Sequence, residues 1–348
     1  MIIYVDDIVL TGNSVKEITN IKQTLHSNFR IKDLGLLRYF LGLEVSHSDE
    51  GISVHQRKYC LDLLADSGLL GCKPSSMLMD SSLCLRQDDS SELLVDPLSY
   101  RRLIGRLIYL TTTRLNIVFA TQQLSQFMTH PTKAHLGATR RVLRYLKGCP
   151  TKGLFFQRNS SIHLLGFSDA DWATCVETRR SVTGYCFFLG NSLISWKAKK
   201  QSTISRSSLE AEYRALATST CELQWLSYLL TDLNVICSKL VVLYCDNQSA
   251  LHIAANPVFH ERTKHLEIDC HLVREKTQAS LMRLLPIPSS HQLADIFTKA
   301  LPPHLFHSNL SKLELVDIYT PPICEGLIEK QKQSNSIDDE VHEYLAHM

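Results

Sequence analysis

Residues 160–302 follow one strict order of strand-like and helix-like segments, and this order leaves few possible folds. A strand-like segment that ends in acids, SIHLLGFSDADWA, precedes two strands around a Gly-Asn turn, SVTGYCFFLGNSLISWK. A long helical stretch follows, and then a buried strand, a helix, a further strand and a final helix alternate. The order strand–strand–strand–helix–strand–helix–strand–helix predicts a mixed sheet with helices on its faces.

Four acidic residues fall where such a fold would bring them together. Asp169 ends the first strand, Glu212 lies in the long helix, Asp246 ends a later strand and Asp295 lies in the last helix. Carboxylates that lie close together repel one another, so a cluster of them generally requires cations. Oxygen ligands without a matching set of Cys and His favour magnesium or manganese over zinc.

Each of these acids also has a purely structural interpretation. Asp169 could simply end a strand, Asp246 could cap the following helix, and Glu212 and Asp295 could be solvated helix residues. Glu210 is the alternative to Glu212, because the two glutamates lie on different helix faces and the sequence does not decide which faces inward.

The first ten residues, MIIYVDDIVL, predict a tight hairpin with two adjacent acids at its tip. Asp6 and Asp7 separate two short runs of β-forming residues. Short acids are common in turns because their carboxylates bond nearby backbone groups and tolerate strained dihedrals. Metal binding by Asp6 and Asp7 is the alternative that this sequence segment leaves open.

Residues 98–147 predict about three helices, broken near Thr113 and at Pro131. Before them, a helix in KYCLDLLADSGLL is expected to end before Gly71. Basic residues could contact nucleic-acid phosphates at two places, although solvated surface charge is the ordinary alternative. The first group is Arg140, Arg141 and Arg144, and the second is Lys197, Lys199, Lys200 and Arg206.

Composition restricts the class of protein. The 348 residues are 44% hydrophobic, which is enough for two or three domains with real cores. The net charge is only +2, so nucleic-acid affinity would have to come from local basic patches. The 11 cysteines form no C-x-x-C pair, which favours reduced intracellular thiols over a zinc module or a disulfide scaffold. No apolar run is long enough to predict a membrane span.

Many stretches, taken in order, resemble one known family. They include YVDDI, KDLGLLRYFLGLEV, YRRLIGRLIYLT and VLRYLKG in the first half, and GFSDADWA, SSLEAEYRALA, YCDNQSALHIA and QLADIFTKAL in the second. Together they resemble the end of the reverse transcriptase and the ribonuclease H domain of copia-type retrotransposon Pol polyproteins. The family usually has Pro and Asp where this chain has Leu115 and Asn116, which suggests relaxed constraint.

This resemblance implies a nuclease that uses two magnesium ions, with manganese as a substitute, to cut the RNA strand of RNA–DNA hybrids. It assigns the metal-ligand positions to Asp169, Glu212, Asp246 and Asp295. Two ions roughly 4 Å apart would activate water and stabilise the departing 3′ oxygen. The hybrid would be recognised by its geometry and its 2′-hydroxyls rather than by its sequence. Other parts of the polyprotein are the further partners expected, inside the cell.

The resemblance also implies a domain organisation. We expect a reverse-transcriptase palm remnant at 1–80, a helical thumb or connection region at 81–155, a ribonuclease H-like domain at 160–302 and a loose tail at 303–348. Asp6 and Asp7 would be two of the three polymerase carboxylates. Since the third and the nucleotide-binding fingers are missing, Met1 is expected to be an internal or miscalled start, and the chain alone is not expected to extend primers.

Two other functions stay open from the sequence. The chain could be a relic that binds nucleic acid without cutting it, with its acids present but their geometry degraded. It could also be part of an RNA-directed DNA polymerase, if a longer chain supplies the missing palm and fingers.

Overall fold

The N-terminal elements form a separate hairpin, a helix and the start of a larger sheet in the computed structural model, which describes residues 1–79, 85–87, 91–237, 239–256, 266–313 and 315–317. Their bounds are β1 Ile2–Tyr4, β2 Asp7–Val9, α1 Val15–Phe29, β3 Tyr39–Phe40, β4 Leu43–His47, β5 Gly51–His55 and α2 Arg57–Asp66. The predicted hairpin is confirmed, with Tyr4 paired to Asp7. Asp6 lies in the turn, and Asp7 is the first residue of β2.

Helix α2 ends earlier than the sequence suggested. Its last residue is Asp66, and the chain leaves the helix through Ser67 and Gly68 rather than near Gly71. Gly68 has a φ of +66°. Glycine adopts this left-handed conformation without steric cost, so the nearer glycine ends the helix.

Three helical segments follow, with the predicted breaks. They are α3 Pro97–Leu110, a 3-10 turn at Leu115–Ile117 that leads into α4 Val118–Ser125, and α5 Lys133–Gly148. The side chain of Asp96 caps α3 by accepting from the Leu98 and Ser99 amides. Thr132 and His135 form a capping box at the start of α5. Part of the preceding loop, at 80–84 and 88–90, lies outside the described residues.

A strand that the sequence analysis assigned to neither sheet joins this helical region to the N-terminal sheet. β6 Lys152–Gln157 pairs antiparallel with β5, so the neighbouring strands run in the order β6-β5-β4-β3. Buried side chains of α2, α3 and α5 share one hydrophobic core, including Leu63, Ile104, Leu107 and Leu143. The regions before and after residue 80 are therefore packed together.

The second sheet is made of the next five strands. Its elements are β7 Leu164–Ala170, β8 Val182–Leu189, β9 Ser192–Lys200, α6 Ser208–Asp232, β10 Val241–Cys245, α7 Gln248–Ala255, α8 Glu267–Gln278, β11 Met282–Pro286, a 3-10 turn at Ser289–His291 and α9 Asp295–Thr298. The strand order is β11-β10-β7-β8-β9. β7, β8 and β9 are antiparallel, whereas β10 runs parallel to β7 and to β11. This mixed sheet with flanking helices confirms the predicted ribonuclease H-like fold.

The expected loose tail begins too early at 303. Helix α10 Pro303–Lys312 packs Phe306 and Leu310 into the core, and a short strand β12 Leu315–Asp317 follows. Apolar side chains spaced four residues apart give this helix a buried face, and the sequence analysis overlooked that spacing. Residues 318–348, the rest of the predicted tail, lie outside the described residues.

Arg114 is fully buried at the junction of α3, α4 and α5, and its charge has no acidic partner in the part of the chain that the structure describes. Its Nε donates to Asn116 Oδ1 at 3.3 Å and its Nη1 donates to the Cys149 carbonyl at 2.7 Å. None of the ion pairs among the described residues includes Arg114. A guanidinium loses its hydration when it is buried, and neutral hydrogen-bond acceptors compensate for this loss less well than a carboxylate does.

Asn116→Asp is therefore expected to stabilise the protein. The new carboxylate would face Arg114, and Tyr145 could reverse its 2.9 Å hydrogen bond with residue 116 by donating its hydroxyl proton. A charge-assisted bond of this kind contributes about 1–2 kcal/mol. Urea unfolding should show a higher midpoint for the variant, while the exposed turn substitution Asn159→Asp should leave the midpoint unchanged. A lower midpoint for Asn116→Asp would contradict this account of Arg114.

Candidate metal centre

The four acids singled out in the sequence lie at one end of the second sheet. Asp169 and Asp246 come from the carboxyl ends of β7 and β10, which are parallel neighbours and therefore end at the same edge. Glu212 lies in the second turn of α6, which packs on β7, and Asp295 is the first residue of α9. The mutual electrostatic influence of Asp169, Asp246, Glu212 and Asp295 reflects this convergence.

Neighbouring hydroxyl groups fix two of the carboxylates. Ser289 donates to Asp246 Oδ2 at 2.7 Å, and Thr298 donates to Asp169 Oδ2. Thr298 can reach Asp169 because α9 lies directly against β8. A Cβ at Gly184 of β8 would lie 2.5 Å from Thr298 Cγ2, so glycine permits this close approach.

One side of the cluster contains a buried acceptor that is unsatisfied. Glu212 Oε2 is buried and accepts no hydrogen bond from any described residue. Ligand atoms of Glu212, Asp246 and Cys245 lie within 4.8 Å of one another. A buried carboxylate oxygen without a donor is costly, and a divalent cation would satisfy it. The residues present therefore fit a magnesium ion.

Burial and repulsion by neighbouring carboxylates raise the pKa values of Glu212 and Asp295. Burial raises the pKa of Glu212 to about 9, and the charges of Asp169 and Asp246 add to this effect. Burial, followed by the charge of Asp169, raises the pKa of Asp295 to about 7 although Lys299 opposes the rise. Glu212 is therefore protonated at neutral pH in the metal-free protein, and a bound cation would have to release that proton.

The structure separates the two neighbouring glutamates. Glu210 Oε1 lies 2.6 Å from Arg214 Nη2, and Glu210 Oε2 accepts from the Arg206 amide at 2.8 Å. Glu210 thus stabilises the start of α6, and Arg214 neutralises its charge there. Glu212 faces the other acids, which makes it the better placed of the two for a metal.

Sequence reasoning missed two residues of this site. Cys245 is fully buried beside Asp246, and its burial raises the pKa of its thiol, so the neutral thiol is a poor ligand for a hard cation. Lys299 Nζ lies 2.6 Å from Asp295 Oδ1 and 3.3 Å from Asp169 Oδ1. The four-residue spacing between Asp295 and Lys299 was the available signal for this lysine.

The basic residues near β9 differ in their surroundings. Lys197 and Lys199 are exposed and alternate along the strand, so they share one face of the sheet. Lys200 points to the other face, where its Nζ lies 2.9 Å from Gln126 Oε1 and 2.8 Å from Cys175 Sγ. Arg206 is exposed just before α6.

The arginines of α5 are largely occupied by the chain itself. Arg144 Nε donates to the Lys73 carbonyl at 2.8 Å, and Arg141 Nε donates to the Met77 carbonyl at 3.4 Å. These bonds hold the segment after α2 against α5. Arg140 remains exposed.

Asp6 and Asp7 have exposed side chains in the separate two-stranded sheet. The structure therefore does not bring them into a buried carboxylate cluster. Within the described parts of the chain, no helix combines the length and the apolar character needed to cross a membrane.

Comparisons with known proteins give a consistent family. The reverse transcriptase (RNA-dependent DNA polymerase) family matches residues 1–80. The retrovirus-related Pol polyprotein from transposon RE2 of Arabidopsis thaliana is 40% identical over 328 residues, which is 94% of this chain and 22% of that protein. An uncharacterised mitochondrial protein of the same plant is 44% identical over 227 residues, which is 65% of this chain and 94% of that protein.

Among solved structures, LC11-RNase H1, isolated from compost, is similar over 42% of this chain and 98% of its own, with 14% identity and a TM-score of 0.31. The chain spans about a fifth of the length of the Pol polyprotein that it matches, 22%. Its identity to that polyprotein extends through both the reverse-transcriptase match and the second sheet. The chain belongs to the family of retrovirus-related Pol polyproteins of copia-type transposons.

Proposed function

We propose that the second sheet and its helices form a ribonuclease that hydrolyses the RNA strand of RNA–DNA hybrids with magnesium. The observation that carries this proposal is the convergence of Asp169, Glu212, Asp246 and Asp295, with Glu212 Oε2 buried and unsatisfied among the described residues. A divalent cation would satisfy such a cluster without protonating it.

Each residue has a distinct role in this proposal. The four carboxylates would hold the ions, and bound magnesium would supply an activated water and stabilise the departing 3′ oxygen. Ser289 and Thr298 keep the Asp246 and Asp169 carboxylates in fixed orientations. Such supporting hydrogen bonds usually matter for metal affinity because they orient the ligand atoms.

The exposed lysines of β9 suggest how the hybrid would lie. Lys197 and Lys199 share one face of the strand, and Arg206 is exposed just before the first residue of α6. We propose that these three side chains contact phosphates of the DNA strand, and that Arg140 extends the basic surface. Arg141, Arg144 and Lys200 would contribute less, since each already binds groups within the protein.

The N-terminal region is proposed to be the end of a palm, and its missing partner would be another part of the Pol polyprotein. Helix α1 contains no buried residue, although Ile18, Ile21, Leu25 and Phe29 follow helical spacing. Strand β1 exposes Ile2 and Ile3 as well. Apolar faces of this extent usually mark surfaces that another segment covers. Residues 81–155 would then be the thumb or connection region.

The proposal is tested with a labelled RNA–DNA hybrid in magnesium buffer. The purified chain should cut the RNA strand, leave duplex DNA intact and lose activity in EDTA. Binding of the hybrid without cleavage would instead identify the chain as a nucleic-acid-binding relic.

A further inference from the structure

The cluster of acids is divided into two unlike halves. Lys299 Nζ bridges Asp295 Oδ1 at 2.6 Å and Asp169 Oδ1 at 3.3 Å, so an ammonium already offsets one of the two negative charges in this half. In the other half, Glu212 and Asp246 take part in none of the ion pairs among the described residues. Within the described structure, this second half alone has a buried carboxylate oxygen without a donor, Glu212 Oε2.

The position of Lys299 is set by the fold. Lys299 follows the last residue of α9, and its side chain reaches back to Asp295 at the start of that helix. The approach of α9 to β8 at Gly184 brings Thr298 and Lys299 together onto Asp169. The lysine side chain is 40% exposed, so it has open space into which it can move.

We propose that Lys299 is an internal counter-ion that makes the two metal positions unequal. This inference rests on the proposed function only in that the carboxylates bind divalent ions. The first ion binds beside Glu212 and Asp246, where no cation competes. The second ion binds between Asp169 and Asp295 only by displacing the ammonium, because two cations cannot share these oxygens at contact distance without strong repulsion.

The inequality has a direct consequence for metal binding. The wild-type protein should bind one Mn²⁺ ion tightly and a second one more weakly. Lys299→Met keeps the length of the side chain but removes its charge, so the second ion should bind at least about tenfold more tightly. Lys299→Arg keeps the charge and should retain the weak second position.

The experiment counts bound Mn²⁺ by electron paramagnetic resonance on the full chain, without any nucleic acid. Lys312→Met is the matched control, since this lysine is exposed at the end of α10, and it should bind Mn²⁺ as the wild type does. In EDTA, Lys299→Met should melt at a lower temperature than the wild type because Asp169 and Asp295 lose their counter-ion, and Mn²⁺ should remove this difference. Lys299→Gln provides a second neutral variant if the methionine variant folds poorly.

Equal Mn²⁺ affinities in the wild type and in both neutral variants would overturn the inference, and so would a failure of all of them to bind Mn²⁺. Tighter binding of the second ion by Lys299→Met supports it. Because no substrate is present, the inference stands or falls separately from hybrid cleavage. A protein that shows the predicted binding but cuts no hybrid would refute the proposed nuclease function and leave the role of Lys299 supported.

Discussion

Asp246→Asn is expected to reduce hybrid cleavage by about a hundredfold or more while the protein stays folded. The asparagine preserves the size of the side chain and can still accept from Ser289, which bonds Asp246 Oδ2 at 2.7 Å. What is lost is one negative charge at the edge of the cluster where Glu212 Oε2 has no donor among the described residues. Loss of a metal ligand costs several kcal/mol of transition-state stabilisation, which corresponds to that loss of rate.

The rate is measured as hydrolysis of labelled RNA in an RNA–DNA hybrid, with the wild type beside the variant. Asp232→Asn is the matched control, since this aspartate is exposed at the last turn of α6, away from the strand ends that carry the cluster. Thermal unfolding in EDTA checks the fold, and there Asp246→Asn should be at least as stable as the wild type because a negative charge that repels the Asp295 carboxylate is removed. Equal cleavage by Asp246→Asn and wild type would remove Asp246 from the mechanism.

The metal-free protein is expected to lose stability as the pH rises from about 5 to about 9. The pKa of Glu212 is raised from an ordinary 4.5 to about 9 by burial and by Asp169 and Asp246. Between these values the folded state binds more protons than the unfolded state, so raising the pH favours unfolding. Burial also raises the pKa of Asp171 to about 6 and that of Asp295 to about 7. These two groups likewise lower the stability as the pH rises, but at lower pH than Glu212 does.

Glu212→Gln separates these contributions. The neutral side chain cannot ionise, so the melting temperature in EDTA should fall much less between pH 7 and pH 9 than it does in the wild type, because only the end of the Asp295 titration remains among these three groups. Glu210→Gln is the control, because Glu210 is paired with Arg214 and its loss should lower stability without flattening the curve. Magnesium should raise the wild-type melting temperature most at high pH. A wild-type curve that rises from pH 7 to pH 9 would refute the assigned environment of Glu212.

Local patterns in the sequence were sufficient for the order of elements in the second sheet. Alternating apolar residues set the strands, helical spacing set α6 and α8, and the Gly-Asn turn joined β8 to β9. The same patterns located the hairpin of β1 and β2 and the breaks between α3, α4 and α5. These features depend on residues close together in the chain, which is why they could be predicted without the fold.

The choice between Glu210 and Glu212 needed the tertiary structure. They lie two residues apart near the start of α6, and the position of Arg214 against Glu210 and of the strand ends against Glu212 distinguishes them. The hydrogen bonds of Arg141 and Arg144 to the segment at 73–77 could not be predicted from the sequence either. Helical spacing shows which side chains share a face, but not which segment covers that face.

Lys299 and β6 show the same division between local and tertiary information. Lys299 lies 130 residues from Asp169 in the chain, and the contact exists because Gly184 lets α9 lie against β8. β6 pairs with β5, which lies about a hundred residues earlier in the chain. Local sequence therefore indicates that β6 is a strand, but not which sheet it joins. The sequence by itself indicated the family, the order of elements in the second sheet and the acids that are proposed to bind metal. Only the tertiary structure decided which charges meet, because pairing across the chain depends on how the two sheets and their helices pack.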